Sequence, residues 1–173
     1  MKTIEVRRHS IRERGGQGLS EQGLELARIV GKGLGPFQRV LTSTVLRAIQ
    51  TAEAMGFGVD EQVELLNTYG DSVEAEIPWP ASFAEYTEPI KRASGAPRRY
   101  ADRLVEFYCQ LAEALPDGGT ALVISHGGVV EIGAAACLPN ADHAAWGKYV
   151  ECCEGVRMLW ENGTFTHAEI LRV

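Results

Sequence analysis

Apolar residues recur along this chain in two rhythms, one extended and one helical. Ile4 and Val6 open a short extended run that ends in Arg7, Arg8, His9 and Ser10. Residues 11–18 are polar and glycine-containing and read as a loop. Ser20 is placed to cap a helix with Glu21 in its first turn and Ala27, Val30 and Leu34 on one face, ended by Gly35 and Pro36. A strand over Arg39–Thr42 then leads to a helix capped by Ser43 or Thr44, on which Val45, Ala48, Ala52 and Met55 repeat before Gly56 and Gly58. Residues 63–66 read as a short third strand. Pro97 starts a helix carrying Tyr100, Leu104, Tyr108, Leu111 and Leu115, and Pro116 stops it. Residues 121–124 are nearly all apolar, as a strand covered on both faces should be. Val129–Cys137 is a small-residue helix able to pack closely on a sheet, and strands at 156–160 and 164–171 flank the hairpin signal Asn162-Gly163. The alternation predicts an α/β fold: a mostly parallel open sheet with helices on both faces (an α/β/α sandwich) and a C-terminal β-hairpin.

Residues 69–97 break the rhythm. They hold Pro78, Trp79, Pro80, Phe83, Tyr86 and Pro89 among the acids Asp71, Glu74, Glu76, Glu85 and Glu88. Connections this long inside a compact domain are usually lids or binding segments, and the aromatic content argues against disorder, so a partly helical flap is expected. The 173 residues otherwise suit a single domain spanning 1–173. A net charge of −6 argues against a general nucleic-acid or membrane-surface binder. The four cysteines lack paired metal spacing and do not suggest a disulfide framework, so a reducing, cytoplasmic setting is expected. No apolar run approaches the roughly 20 residues of a membrane helix. Lys2 meets the first strand at once, which leaves no signal peptide to read. Oligomeric state is not legible.

The candidate chemistry lies where three strands end. The first run delivers Arg8 and His9 to its tip, and the stretches ending at Arg47 and at His126 are each an apolar strand ending in a small hydroxyl residue, then a cationic or titratable side chain, then a helix. Open parallel sheets bind ligands at the carboxyl ends of their strands. Arg47 would sit in the first turn of its helix, where the macrodipole disfavours a cation unless an anion shares the space. The helix after His126 points free N–H groups at the same edge, and Gly127 and Gly128 would allow an oxyanion close to the backbone. Two like charges ~4 Å apart cost about 4 kcal/mol at a surface-like dielectric. Gathering Arg8, Arg47 and His126 therefore calls for a dianion, and phosphate fits. His9 is then the natural nucleophile, attacking phosphorus through a neutral imidazole nitrogen. The plain alternative is a pair of hydrogen-bonded structural histidines.

With these residues in place the chain resembles the histidine phosphatase, or phosphoglycerate mutase-like, superfamily. The family's opening Arg-His-Gly corresponds to Arg8-His9-Ser10, and its Leu-Thr-Glu-x-Gly helix start to Leu19-Ser20-Glu21-Gln22-Gly23. Its Ser-x-x-x-Arg-Ala-x-Gln-Thr-Ala stretch is met residue for residue by 43–52, and its Ser-His-Gly-Gly by Ser125-His126-Gly127-Gly128. The resemblance implies His9 as the phosphorylated residue, a phosphate pocket of Arg8, Arg47, His126 and Gly127, and no metal cofactor. Ser10 stands where the family usually has glycine. The family's glutamate acid, four residues before a glycine after the third strand, is replaced by Leu66 or, with a slip of one, Asn67. The acid is then either relocated to Asp71, Glu74 or Glu76, or absent, as it often is in short members that act on phosphohistidine.

The expected function is a metal-independent phosphatase working through phosphohistidine on a phosphorylated small molecule or phosphoprotein. A phosphoglycerate-type mutase and a catalytically weak phospho-ligand binding module are the alternatives; a metal site of His9, His126, His143 and cysteines is more distant. Trp79, Tyr86, Lys91, Arg92, Arg98 and Arg99 are candidates to line a substrate pocket, with a solvated basic face as the competing reading.

Overall fold

The computed structural model describes residues 1–173. Six strands, β1 (Lys2–Arg8), β2 (Arg39–Thr42), β3 (Glu61–Gln62), β4 (Thr120–Ser125), β5 (Gly155–Glu161) and β6 (Thr164–Leu171), form one sheet in the order β3-β2-β4-β1-β5-β6. The first four in that order run parallel, while β5 and β6 are antiparallel and close the chain as the hairpin that Asn162-Gly163 announces. Six helices cover the faces: α1 (Glu21–Gly31), α2 (Leu46–Ala54), α3 (Asp71–Glu76), α4 (Phe83–Lys91), α5 (Ala96–Ala114) and α6 (Val129–Cys137).

The period-two geometry of a strand divides the core in two. Ala121 and Val123 of β4 join Ile4 and Val6 of β1 in a large cluster with Phe83, Tyr86, Leu104, Tyr108 and Ile132 from α4, α5 and α6. The alternate residues Leu122 and Ile124 face a smaller cluster of Ala27, Ala48, Ala52 and Met55 under α1 and α2. On that second face β1 carries not apolar residues but Glu5 and Arg7, a buried pair at 2.6 Å. Glu5 also accepts from Arg157 at 2.8 Å, and Arg7 donates to the Cys153 carbonyl at 2.6 Å, so both buried charges are partnered.

Three elements differ from expectation. The third strand is Glu61–Gln62, and residues 64–66 form a 3-10 turn instead. The Leu65 and Leu66 carbonyls there accept from Tyr100 (2.8 Å) and Ser125 (2.9 Å), so the run turns away from the sheet edge while still burying Leu66. Helix α1 stops at Gly31, short of Leu34. Residues 32–34 tighten into turns that each bond three residues back, and any side chain on Gly31 would collide with the Met55 backbone where the two helices cross. Neither Ser43 nor Thr44 caps α2; Val45 holds that position, without a side-chain hydrogen bond. Residues 69–97 carry α3 and α4, with Phe83 and Tyr86 fully buried, and no helix of the protein is long and apolar enough to cross a membrane.

Candidate active site

Strand register brings the three tips together. Arg8 lies opposite Ser125, and Thr42 opposite Ile124. The next residues continue the ladder, with the His9 amide donating to the Ser125 carbonyl and the Ser43 amide to the Ile124 carbonyl, both at 2.9 Å. His9, Ser43 and His126 therefore emerge side by side at the carboxyl edge of the sheet, with Arg47 brought over them by the second residue of α2. His9, His126 and Arg47, together with Arg8, Arg12 and Trp79, line a cavity of about 400 Å³.

His9 is oriented by its own backbone. Its Nδ1 lies 2.7 Å from the Ser10 carbonyl, which can only accept, so Nδ1 carries the proton and Nε2 keeps a lone pair. Arg47 Nε donates to that lone pair at 3.0 Å, and Arg47 Nη2 reaches His126 Nδ1 at 3.4 Å. A donor on Nδ1 leaves the His126 proton on Nε2, from which it is donated to Ser43 Oγ at 2.7 Å. The two rings meet edge to face, 5.0 Å between centroids.

Burial holds both imidazoles neutral. It pulls His9 down to about 4, outweighing the Ser10 hydrogen bond, with Arg47, Arg8 and Arg12 adding to the effect. His126 falls to about 3 through burial, then through His9, Arg47 and Arg8. Arg47 is itself lowered by burial and by Arg12 and Arg8, the signature of cations crowded without a counter-charge. Every ion pair of the protein lies elsewhere, and no carboxylate lines the cavity. Arg8 donates to the Val150 carbonyl at 3.0 Å and stacks on Trp79, 5.1 Å from its ring centroid, while its buried Nε has no partner. An acidic protein thus holds three unpaired guanidiniums around two neutral imidazoles. Such a site can bind a tetrahedral dianion and offer it a nitrogen lone pair.

The remaining candidates are distributed as follows. Gly127 lines the cavity, but the space its missing side chain opens is filled by Trp79; Tyr69 does the same at Gly128, whose φ of +81° also favours glycine. The Gly128 amide, expected to face an anion, donates to Glu131 at 2.7 Å. Asp71, Glu74 and Glu76 are exposed on α3 and outside the cavity lining. Glu76 approaches Arg92 at 3.4 Å, and Glu74 lies beside Tyr69, where burial and the carboxylate together push the phenol up. Asn67 is occupied elsewhere, its side chain accepting from the Thr44 amide and donating to the Thr44 hydroxyl, both at 2.8 Å. Among the substrate candidates only Trp79 reaches the cavity: Tyr86 is core, Lys91, Arg92 and Arg99 are exposed, and the half-buried Arg98 pairs with Asp102. His143 bonds Thr87 and the Leu138 carbonyl, away from the other histidines, and no three His, Cys, Asp or Glu side chains converge to hold a metal.

Sequence reasoning missed Arg12, Cys152 and Glu131. Arg12 and Cys152 sit in irregular segments, where no periodicity assigns a direction. Glu131 sits on the apolar helix α6 and is fully buried, its two oxygens accepting the Gly128 and Val150 amides at 2.7 Å each. A lone carboxylate in a run of small apolar residues was the available signal. Ser10, the departure from glycine, is buried; its hydroxyl donates to the Gly23 carbonyl at 2.7 Å and its amide donates to the Thr51 hydroxyl at 2.9 Å.

The protein is thus an open α/β sheet with a cationic, imidazole-bearing pocket at its carboxyl edge. The chain belongs to the histidine phosphatase superfamily (branch 1), whose profile matches residues 3–170. No curated protein matches the chain significantly by sequence. Among solved structures it is similar to a phosphoserine phosphatase from Entamoeba histolytica in complex with 3-phosphoglyceric acid (13% identity, 100% and 98% of the two chains, TM-score 0.73). It is also similar to a mycobacterial glucosyl-3-phosphoglycerate phosphatase complexed with VO3 (19%, 99% and 98%, 0.70) and to a phosphoglycerate mutase from Bacillus anthracis (22%, 95% and 90%, 0.63).

Proposed function

We propose that this protein is a metal-independent phosphatase that works through a phosphohistidine at His9. The observation that carries the reading is the lone pair of a neutral His9 Nε2 among three guanidiniums that have no carboxylate partner. The phosphoryl oxygens of a phosphorylated small molecule or phosphoprotein take the donors of Arg8, Arg47 and Arg12. Arg47, which otherwise bonds His9 Nε2, turns to the phosphate and frees the lone pair. Nε2 then attacks phosphorus, the bond to the leaving oxygen breaks, and that oxygen takes a proton from water. A second water hydrolyses the N–P bond, returning inorganic phosphate and neutral His9. Positioning and electrostatics supply most of the acceleration, and guanidiniums meet the charge a metal would otherwise neutralise. His126, neutral and hydrogen-bonded to Ser43, donates to an equatorial oxygen once the dianion raises its proton affinity. The setting that suits four free cysteines is the reducing cytoplasm.

Rapid quenching with labelled substrate tests the mechanism. The label should be acid-labile, base-stable and located on His9, and His9→Ala should abolish it with nearly all turnover. Label on Cys152 or a serine would refute the proposal. Transfer of the trapped phosphoryl group to a second hydroxyl of the product, in preference to water, would mark a mutase.

A further inference from the structure

A second cavity, of about 480 Å³, adjoins the first and shares Arg8, Ile11 and Cys152 with it. Its other walls include Leu26 of α1 and Tyr149. Tyr149 stands edge-on to Trp79, 5.1 Å between centroids, and Trp79 in turn carries the Arg8 guanidinium on its ring. An aromatic corner thus joins the two cavities. The carboxylates on the second cavity, Glu151 and Glu154, are paired with Lys148 (2.9 Å) and Arg172 (2.7 Å). Apart from the shared Arg8, no cation lines it, so a second anion on the substrate would find carboxylates and no counter-charge there.

The reacting cavity supplies an independent restriction, because no carboxyl group lines it to protonate a departing oxygen. General acid catalysis contributes roughly 10²–10⁴-fold and matters most for basic leaving groups. A phenol-type oxygen has a pKa of about 10. An alkyl alcohol is closer to water, at about 15.7, and departs far more slowly without help.

We infer that the second cavity receives the leaving group and that the substrate is the phosphate monoester of a phenol-type alcohol lacking a further anionic group. This assignment rests on the phosphatase reading above. The ring lies against Leu26 and Tyr149, and the phosphoryl group lies among the arginines beside His9. A free aryl phosphate and a phosphotyrosyl peptide present the same chemistry.

The experiment compares kcat/KM for 1-naphthyl phosphate, a phosphotyrosyl peptide, 3-phosphoglycerate and acetyl phosphate, the last having a good leaving group and no ring. One or both aryl esters should exceed 3-phosphoglycerate by at least about 10²-fold, the lower end of what an absent acid forfeits. The faster of the two aryl esters identifies the source. Leu26→Asp should lower the naphthyl-to-acetyl ratio about tenfold or more, the scale of a lost apolar contact in a substrate pocket. Tyr149→Ala, on a different segment, should lower the same ratio and covers the case in which Leu26→Asp does not fold. Acetyl phosphate turnover with a ratio unmoved by both folded variants, or with 3-phosphoglycerate matching the aryl esters, overturns the subsite and leaves the phosphatase reading standing. Failure to turn over any of the four substrates overturns both.

Discussion

Replacing Glu131 by Gln should change stability by an amount that depends strongly on pH. The carboxylate is fully buried, with one oxygen accepting the Gly128 amide and the other the Val150 amide. Glutamine can satisfy one of these donors and faces the other with its own NH₂, so an amide loses its partner at a cost of about 1–3 kcal/mol. Opposing this, burial raises Glu131 to about 7, ahead of the lowering exerted by the two amide bonds and Arg8. A group whose folded pKa is raised contributes stability below its unfolded value, near 4.5, and loses it as pH rises through about 7. That difference corresponds to about 3 kcal/mol. Glu131→Gln should therefore be destabilising near pH 4.5 and less so, by about 3 kcal/mol, at pH 8, where it becomes neutral or slightly stabilising. Urea denaturation of both proteins at the two pH values measures the difference directly. Because Val150 also accepts from Arg8, turnover should fall at both pH values, even where stability is matched. A destabilisation that is constant with pH, or larger at pH 8, would show that Glu131 is not held protonated by burial and would refute the reasoning.

The histidines act in the opposite direction. With folded values near 4 and 3, they leave the unfolded chain binding more protons below about pH 6.5, so their contribution is complete above that pH and falls away toward pH 3. His9→Asn should flatten part of that acid limb, by about 3 kcal/mol, in denaturation curves measured between pH 7 and pH 4. If the wild-type and variant curves stay parallel, the depressed value is wrong. Gly127→Ala requires no unusual backbone, yet its Cβ meets Trp79. Overpacking of this kind costs about 1–3 kcal/mol, and the variant should also loosen Arg8 and raise KM for phosphoesters; an unchanged KM counts against the Arg8–Trp79 stack as a positioning device. Asp71→Asn and Glu74→Gln, on the exposed face of α3, should leave alkyl phosphate turnover within about twofold, since surface changes usually shift energies by under 0.5 kcal/mol. A loss of 10²-fold in either would place the missing acid there after all.

The strand tips were legible because their signal is doubly local: an apolar run fixes the strand, and the chemistry follows within the next one to five residues. His9, Arg47 and His126 needed no knowledge of side-chain direction beyond the helix or strand that bears them. Arg12 lies only three residues past His9 but in an irregular loop, where sequence assigns no direction. Residues 63–66 were ambiguous for another reason. A short apolar run buries equally well as a strand or a turn, and the decision was made by Tyr100 and Ser125, distant in sequence, reaching for its carbonyls. Ser43 was read as a cap, the commonest use of a serine before a helix, whereas His126 claims its hydroxyl from 83 residues away.

The bond from Arg47 Nε to His9 Nε2 also bears on what the site admits. The His9 lone pair is masked by a cation already in the pocket. A neutral electrophile entering the cavity gives that guanidinium no reason to leave, and so meets an imidazole whose lone pair is spoken for. Only a visitor with enough negative charge to outcompete an uncharged ring for Arg47 uncovers it. The site thereby screens its visitors by charge before any shape is compared, and guards its histidine against adventitious acylation while it waits.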